Sequence, residues 1–313
     1  MPMQKTEEPL VSILMNCFNG EIYLREALKS ILAQTYQNWE LIFWDNQSTD
    51  QSADIFKSYK DDRLKYYYSP KHTNLGGGRA KAYPLLRGEF IAILDTDDLW
   101  LPNKLEEQLK CFDDENIGIS ITNTEFFSKK RSKVLYKKPP TQGGVTNELL
   151  KNYYISLETV MLRCSFVQSL EYAFDPDFSH IADFDLIVRT STVSKLAYIP
   201  KVLAKWRVHD ASLSHASNSK EVFVFEKKKW LLKNGDKPNF ASYQKALNTF
   251  KNNTEIQWIQ YLLTKSRINE AKNTLNNIRF DTTQAYIVYV LCFVPVLTFI
   301  IRLRDQMKRS YWF

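Results

Sequence analysis

The first hundred residues alternate apolar runs with amphipathic segments, and this alternation limits the possible folds more than any other feature. The segments VSILMNC (11–17), WELIFWD (39–45) and FIAIL (90–94) are nearly continuous apolar runs, as expected of strands covered on both faces of a sheet. Residues 21–34 carry apolar side chains at helical spacing. Strands separated by helices predict an α/β fold with a doubly wound, mostly parallel sheet, in which ligands bind at the carboxyl ends of the strands.

The C-terminal third has a different pattern. Residues 220–280 have helical spacing and many Lys and Asn side chains, and residues 285–301 form an uncharged apolar stretch that a basic segment follows. The tail is either a buried terminal helix or a segment that lies on a membrane surface. We expect three parts, which are an α/β domain (1–215), a helical C-terminal subdomain (216–282) and an apolar and basic tail (283–313).

Composition narrows the class of protein. The chain has 313 residues, of which 44% are hydrophobic and 25% charged, as in an ordinary globular protein. Its net charge of +7 suits a nucleotide, an acidic lipid surface or nucleic acid, or serves solubility alone. Four scattered cysteines without a CxxC pair predict free thiols in a reducing compartment. The first ten residues lack the apolar segment of a secretory signal, which favours a cytoplasmic location.

Three carboxylates follow the apolar run that ends at residue 94. Asp95, Asp97 and Asp98 lie within four positions, and like charges this close repel one another, so a positive partner is expected. The cluster is a helix N-cap, a solvated loop or a site for a divalent cation. Carboxylate oxygens are the ligands that Mg²⁺ and Mn²⁺ prefer, and Asp95 and Asp97 are spaced to converge on one ion.

Two further candidate sites also follow strands. Asp45 closes the run 39–45 and either caps the next helix or binds a polar group of a ligand. The segment NLGGG (74–78) precedes a helix, where backbone N–H groups can bind an anion. A glycine run without a Walker lysine is a weak indication of phosphate binding by itself.

The last candidates lie after residue 180. Asp183 and Asp185 are two apart at a predicted helix start and point to different faces, so one suits a cap and the other a general base. Arg207 and His209 follow a predicted strand and either hold phosphate oxygens or form a surface turn. The acidic cluster and the lack of a concentrated basic and aromatic stripe argue against nucleic-acid binding.

These motifs occur in the order typical of one family. The opening VSILMNCFNGEIYLREALKSILAQTYQNWELIFWDNQSTD resembles that of family 2 glycosyltransferases, and the resemblance extends over roughly residues 10–215. It continues through three further segments, NLGGGRAKA, GEFIAILDTDDLWLPNKLE, and DFDLIVR followed by AYIPKVLAKWRVHDASLS. The resemblance implies a GT-A fold and an inverting transferase of bacterial surface-glycan type. Such an enzyme uses a nucleoside diphosphate sugar, commonly a UDP-sugar, together with Mn²⁺ or Mg²⁺.

The resemblance also implies residue roles. Asp183 matches the acid that acts as catalytic base, and Asp97 and Asp95 match the metal-binding DxD acids. Nine positions match groups around the donor: Phe18, Asn19, Asp45, Asn74, Gly76, Lys81, Asp95, Arg207 and His209.

Several of these positions depart from the family pattern. Phe18 stands where a Tyr is usual near the base, and Lys81 stands where an Arg is usual. Asp45 matches the acid that recognises the nucleobase, commonly uracil. Ala182 replaces the Glu that usually precedes the catalytic Asp183, which puts catalytic rate or acceptor choice in doubt.

The implied chemistry is a single displacement at the anomeric carbon. A metal ion would neutralise the departing diphosphate while Asp183 takes a proton from the acceptor hydroxyl. The expected acceptor is a glycan or a lipid-linked glycan, which places the protein at the cytoplasmic face of the inner membrane. The competing hypothesis is a non-catalytic module that binds sugar nucleotides, because Ala182 removes a carboxylate next to the base.

Overall fold

The chain divides into two compact units. The structure is a computed structural model that describes residues 8–209, 219–280 and 282–294. The first unit comprises residues 8–127, 132–145 and 154–207, and the second comprises residues 128–131, 146–153 and those described from 208 onward. The domain boundary predicted at residue 215 lies outside the described residues and stays a prediction.

The first unit contains the strands described in the structure. They are β1 (Val11–Cys17), β2 (Trp39–Asp45), β3 (Leu64–Tyr68), β4 (Phe90–Ile93), β5 (Leu99–Trp100), β6 (Ile117–Phe127), β7 (Ser132–Val134), β8 (Met161–Arg163) and β9 (Lys195–Arg207). The first two have the bounds that the apolar runs predict.

The helices fall in both units. They are α1 (Glu21–Leu32), α2 (Ser52–Lys57), α3 (Leu75–Ala82), α4 (Lys104–Leu109), α5 (Thr146–Lys151), α6 (Cys164–Gln168), α7 (Ala182–Ser191), α8 (Ser219–Asn234), α9 (Gln244–Thr264), α10 (Ile268–Thr274) and α11 (Thr283–Phe293). Helices α5 and α8 to α11 belong to the second unit, which confirms the helical prediction for residues 220–280.

The sheet has the order β3-β2-β1-β4-β8-β6-β9-β5, with β7 paired to β6. Strands β3, β2, β1 and β4 are parallel, as predicted, whereas β8 runs antiparallel to both of its neighbours. The two strands predicted within residues 196–208 form one strand, β9. The pairing of β9 with β6 skips from Ile199 to Val202, so Pro200 lies at a bulge, where its missing N–H costs no ladder bond.

Buried apolar side chains from the parallel strands and α1 form the core of the first unit. β1 contributes Val11, Ile13 and Met15, and α1 contributes Leu24 and Leu28, all fully buried. The amphipathic spacing of residues 21–34 therefore directs one helix face onto the sheet. All four cysteines are free, as their spacing predicts.

The second unit has its own helical core. Ile259 and Leu262 of α9 pack with Ala271 of α10 and with Ala285 and Val288 of α11. Part of the predicted tail is therefore core, and residues 295–313 lie outside the described residues. Within the described ranges, no helix combines the length and the apolar character needed to cross a membrane.

A buried carboxylate joins the first strands to the turn before β4. Glu40 of β2 is 3% exposed, and its Oε1 accepts hydrogen bonds from the Ser12 hydroxyl (2.7 Å) and the Arg87 amide (3.0 Å). Its Oε2 pairs with the Arg87 guanidinium at 2.6 Å. Burial opposes ionisation of Glu40, but the Arg87 and Ser12 hydrogen bonds outweigh it and lower the carboxyl pKa. The charged form is thus part of the folded state.

We expect Glu40→Gln to reduce the free energy of unfolding by about 2 kcal/mol at pH 7, because it removes charged hydrogen bonds in a buried setting. The Glu40 pKa is lower in the folded chain. Its contribution is therefore complete above the ordinary glutamate pKa and is lost as the pH falls through the folded value. Urea unfolding at pH 7 and at pH 3 measures both effects, and the difference between wild type and variant should shrink at pH 3.

Glu89→Gln is the matched control, because Glu89 is 57% exposed and lies 3.6 Å from Arg163. An exposed pair of this kind contributes little to stability. Equal losses in the two variants would contradict the role given to Glu40.

Candidate active site

An acid turn, residues 95–98, follows β4 at the carboxyl end of the sheet. The guanidinium of Arg79 in α3 lies 2.7 Å from Asp95 Oδ1, and Arg79 is 1% exposed. Desolvation raises the Asp95 pKa and the Asp97 charge adds to this, while Arg79 opposes both. The positive partner that the clustered acids require is therefore supplied in part by the chain itself.

Arg207 at the end of β9 makes three further contacts near the acid turn. Its amide donates to Asp98 Oδ1, its Nε donates to the Asp97 carbonyl oxygen, and its Nη2 pairs with Glu26, each at 2.9 Å. The sequence predicts Arg207 and the DxD acids as separate motifs 110 residues apart, and the structure brings them together. Arg207 therefore fixes the backbone of the turn and adds positive charge beside it.

The inner side of the acid turn is a buried set of ionisable groups. Asp98 is 3% exposed, and burial together with repulsion from Asp97 and Glu158 raises its pKa well above the usual range. Burial also raises the pKa of Glu158 and lowers that of Lys104 to about 7. Burial thus favours the uncharged forms of these inner groups, and the acids suited to an external cation are Asp95 and Asp97.

The residues present fit a cation that is shared with a ligand. No group of three or more His, Cys, Asp or Glu side chains is placed to hold a metal among the described residues. The Asp95 side chain is 36% exposed and Asp97 is half-buried. Mg²⁺ and similar ions commonly take one or two carboxylates and complete their shell with substrate phosphates, which matches this sparse donor set.

The three glycines of NLGGG lie in the first turn of α3 and are used for packing. The amide of Gly76 donates to the Phe178 carbonyl (3.0 Å), and those of Gly77 and Gly78 donate to Asn74 (2.7 and 3.0 Å). These bonds occupy the three glycine amides, and donor binding by Asn74 and Gly76 stays a prediction. Asn74 is the N-cap of α3.

Arg79, rather than Lys81, reaches the acid turn. Arg79 is buried against Asp95, whereas Lys81 is exposed. The helical spacing of the sequence predicts this difference. Gly76 and Arg79 are three residues apart and share a face of α3, whereas Lys81 lies on another face. Arg79 is therefore the basic residue of α3 that contacts Asp95, and donor binding by Lys81 stays a prediction.

Asp45 is a structural residue of the end of β2. It is fully buried, and its carboxylate accepts hydrogen bonds from the Ser48 amide and the Tyr66 hydroxyl, both at 2.7 Å. Burial and the Asp45 carboxylate raise the Tyr66 pKa. Asp45 is therefore buried in this structure, and its predicted contact with a nucleobase stays a prediction.

The segment after β1 contacts the loops that follow β2 and β3. Phe18 is 52% exposed, and its ring lies 4.4 Å from that of His72, which the sequence does not single out. Asn19 has φ +55°, a conformation tolerated by Asn, and its side chain accepts a hydrogen bond from the Thr49 amide (2.8 Å). Phe18 thus keeps an exposed ring, while Asn19 organises the loops beneath it.

The predicted base lies in the first turn of α7. Asp183 is half-buried, and Asp185 on another face of the helix is fully buried against Arg189 (2.5 Å). Arg189 also donates to the Tyr172 and Ala173 carbonyl oxygens. The different faces predicted for the two acids are confirmed, with Asp185 in the structural role.

The chain segment before α7 passes beside α3. Asn74 donates to the Pro176 carbonyl (2.8 Å), and Gly76 contacts Phe178, five residues before Asp183. Helix α3, which carries Arg79, therefore contacts both the acid turn and the segment that leads to Asp183. His209 belongs to the second unit, and its predicted contact with diphosphate stays a prediction.

A separate cavity of about 620 Å³ lies at the opposite, amino ends of the parallel strands. Its lining includes Pro9 before β1, Gln37 before β2 and Phe90 at the start of β4. None of the site residues predicted from the sequence lines this cavity. Its position excludes it as the site formed by the acid turn.

Comparison with known proteins gives one consistent family. Residues 12–168 match the family model described as glycosyl transferase family 2. An uncharacterised glycosyltransferase of Rickettsia typhi is 33% identical over 68% of this chain and 69% of its own length. The Escherichia coli UDP-Glc:alpha-D-GlcNAc-diphosphoundecaprenol beta-1,3-glucosyltransferase WfgD is 31% identical over 66% of this chain and 81% of its own.

Solved structures share the fold at low sequence identity. S. aureus TarS 1-349 in complex with UDP-GlcNAc has a TM-score of 0.65 and 16% identity, covering 96% of this chain and 92% of that one. The mannosyltransferase PcManGT from Pyrobaculum calidifontis, in complex with GDP-Man and Mn²⁺, has a TM-score of 0.62 and 15% identity, covering 97% and 85%. The predicted GT-A fold with a helical C-terminal part is confirmed.

We expect Gly76→Ala to destabilise the first unit by about 1–3 kcal/mol, the range for a forced overpacking. An added Cβ would lie 2.0 Å from the Phe178 carbonyl oxygen and 2.5 Å from that of Asp175, so α3 must move from the segment before α7. Gly144→Ala is the control, because the new Cβ meets no described atom within 4 Å. Thermal unfolding measures both, and equal melting temperatures for Gly76→Ala and Gly144→Ala would contradict the close contact.

Proposed function

The chain belongs to glycosyltransferase family 2, and we propose that it is an inverting, metal-dependent enzyme that transfers a sugar from a UDP-sugar to an acceptor hydroxyl. The observation that carries this proposal is the acid turn at the carboxyl end of β4, held between Arg79 and Arg207. This edge of a parallel sheet is where ligands of such folds bind. Its half-exposed acids suit a cation shared with a diphosphate.

The donor and acceptor are proposed from those of proteins similar to this chain. The name of WfgD specifies UDP-Glc as donor and a sugar diphosphoundecaprenol as acceptor, and TarS binds UDP-GlcNAc. We therefore assign a UDP-sugar as donor and a lipid-linked glycan as acceptor in surface polysaccharide assembly.

Asp95 and Asp97 are the proposed ligands of Mn²⁺ or Mg²⁺. These two side chains would hold the ion, and its positive charge would offset the negative charge that develops on the departing diphosphate. Arg207 adds fixed positive potential beside the same turn, because its guanidinium is anchored by the Asp97 carbonyl oxygen and Glu26. The PcManGT complex with GDP-Man and Mn²⁺ shows that a protein of this fold binds both groups.

Asp183 is the proposed catalytic base. It would accept the proton of the acceptor hydroxyl as that oxygen bonds to the anomeric carbon and the bond to the diphosphate breaks. One displacement of this kind inverts the configuration and needs no protein nucleophile. The family usually has an acidic residue directly before the base, and this chain has Ala182 there. The position of Asp183 is therefore set by its place in the first turn of α7.

A donor screen tests the enzyme against the non-catalytic alternative. The purified chain is incubated with a panel of sugar nucleotides, with Mn²⁺, Mg²⁺ or EDTA, and with a polyprenyl-diphosphate sugar acceptor. We expect acceptor-dependent release of UDP that EDTA abolishes. Asp183→Asn should lower this release at least a hundredfold while UDP affinity stays within about threefold of wild type, because general-base catalysis contributes 10²–10⁴ in rate.

Asp185→Asn is the comparison variant, because Asp185 pairs with Arg189 in the interior. It should lower stability without the selective loss of turnover. UDP binding without release from any donor would favour the non-catalytic module. Equal rates for Asp183→Asn and wild type would remove Asp183 from the mechanism.

We further propose peripheral association with the cytoplasmic face of the membrane through α11. This helix is apolar on both faces, with Ala285 and Val288 in the core and Tyr286, Ile287 and Tyr289 each about half exposed. Aromatic and aliphatic side chains of this kind suit the interface of a bilayer. In the sequence, Arg302, Arg304, Lys308 and Arg309 follow, and their charge suits anionic lipid.

Vesicle flotation tests this association. We expect the chain to float with phosphatidylglycerol vesicles and much less with phosphatidylcholine vesicles. The double variant Ile287→Ser with Tyr289→Ser should reduce flotation severalfold. Leu232→Ser should not, although Leu232 of α8 is 86% exposed, because it lies outside α11. Equal flotation of both variants with wild type would contradict a membrane-facing α11.

A further inference from the structure

The Arg207 guanidinium contacts two aromatic rings that belong to none of the sequence motifs. These are Tyr23 of α1 and Phe127 of β6, which we call the ring pair. The central guanidinium carbon lies 4.3 Å from the centroid of the Tyr23 ring and 4.6 Å from that of the Phe127 ring. A guanidinium this close to an aromatic ring is held by a cation–π attraction.

Both rings are placed by elements that end or begin near the acid turn. Phe127 is the cross-strand partner of Arg207 where β6 pairs with β9. Helix α1 begins against the turn itself, because a Cβ added to its N-cap, Gly20, would lie 2.8 Å from Thr96 Oγ1. Tyr23 is three residues after Gly20 and shares its face of the helix. The ring pair is therefore fixed relative to the acid turn.

The rings restrict Arg207 in directions that its hydrogen bonds leave open. The bond from Nε to the Asp97 carbonyl oxygen fixes one edge of the guanidinium, whereas each ring blocks its movement toward that ring. The pair with Glu26 adds less, because Glu26 is 56% exposed and ion pairs with so exposed a partner contribute little. The Arg207 side chain itself is only 13% exposed. Its position thus depends mainly on the rings and the Asp97 carbonyl.

Arg207 keeps donor capacity for a ligand. Its guanidinium has five N–H donors, of which Nε donates to Asp97 and Nη2 to Glu26. No described residue accepts a hydrogen bond from Nη1. A guanidinium with free donors and a fixed position suits the oxygens of a phosphate group, which it binds through charged hydrogen bonds.

We propose that Tyr23 and Phe127 are positioning residues that hold the Arg207 guanidinium against the diphosphate of the donor. This inference rests on the proposed function and assigns the alignment of Arg207 to two residues that contact no substrate in it. When the bond between the anomeric carbon and the diphosphate oxygen breaks, its electron pair stays on that oxygen. A cation already in place stabilises this charge without reorganisation, so loss of either ring should lower kcat more than it raises KM.

The affinities of the full chain for UDP and UMP, measured by calorimetry with Mn²⁺, test the placement without turnover. UMP lacks the second phosphate, so the ratio of the two dissociation constants reports contact with the diphosphate. Arg207→Leu gives the ratio without the guanidinium. We expect Phe127→Leu and Tyr23→Leu each to lower the preference for UDP about tenfold, the lower end of the range for one charged hydrogen bond.

Turnover provides the second measurement. With UDP-Glc or UDP-GlcNAc as donor, whichever wild type uses, kcat should fall about tenfold in the same two variants, with a smaller change in KM. Phe127→Tyr and Tyr23→Phe keep a ring and should restore both the ratio and kcat. These ring-retaining variants also separate positioning from a failure to fold.

Phe126→Leu is the matched control. Phe126 is the preceding residue of β6, and its ring lies 4.7 Å from that of Trp206. This variant removes an aromatic ring from the same strand end, and it should keep the wild-type UDP preference and kcat. Equal losses in Phe126→Leu and Phe127→Leu would attribute the effect to a looser strand end and overturn the inference.

The other outcomes separate the ring pair from the proposed function. Wild-type ratio and kcat in Phe127→Leu and Tyr23→Leu, with both lost in Arg207→Leu, overturn the role of the rings alone. A wild-type ratio in Arg207→Leu removes Arg207 from the diphosphate and overturns the inference, while sugar transfer stands on the donor screen. A chain that binds UDP and releases none from any donor overturns the proposed transfer, and the ratio then decides the placement of Arg207.

Discussion

The concentration of negative charge at the end of β4 is the constraint on which the rest of the site depends. Asp95, Asp97 and Asp98 lie where a parallel strand ends, and their mutual repulsion must be balanced for the turn to persist. Arg79 and Arg207 supply that balance from two distant parts of the chain. Because these arginines belong to α3 and β9, the turn also determines where those two elements lie.

Two acids of the turn are partly exposed, and that exposure lets a ligand reach them. Arg79 pairs with Asp95, while Arg207 binds the turn through its amide, which donates to Asp98, and its Nε, which donates to the Asp97 carbonyl oxygen. The side chains of Asp95 and Asp97 keep partial exposure. A cation that arrives with a diphosphate would complete the neutralisation, which links donor binding to the stability of the turn.

Polar side chains hold together the loops that follow β1 and β2. Asp45, Asn46 and Asn19 use their polar side chains on neighbouring backbone and side-chain groups, so they hold the strand ends in register. Phe18 and His72 stand on this support and keep exposed rings. In this chain the buried Asp45 carboxylate organises the turn after β2.

Local periodicity in the sequence predicts the parallel strands β1, β2 and β4, the helix α1 and the helical character of residues 220–280. The sequence also identified the acid turn and Arg207 as candidate site residues. Tertiary structure alone decided which side chains meet. The choice of Arg79 over Lys81, the burial of Asp45 and the pairing of Phe18 with His72 depend on contacts between elements far apart in the chain. Periodicity assigns a residue to a face of its element, whereas the partner across that face is set by how the elements pack.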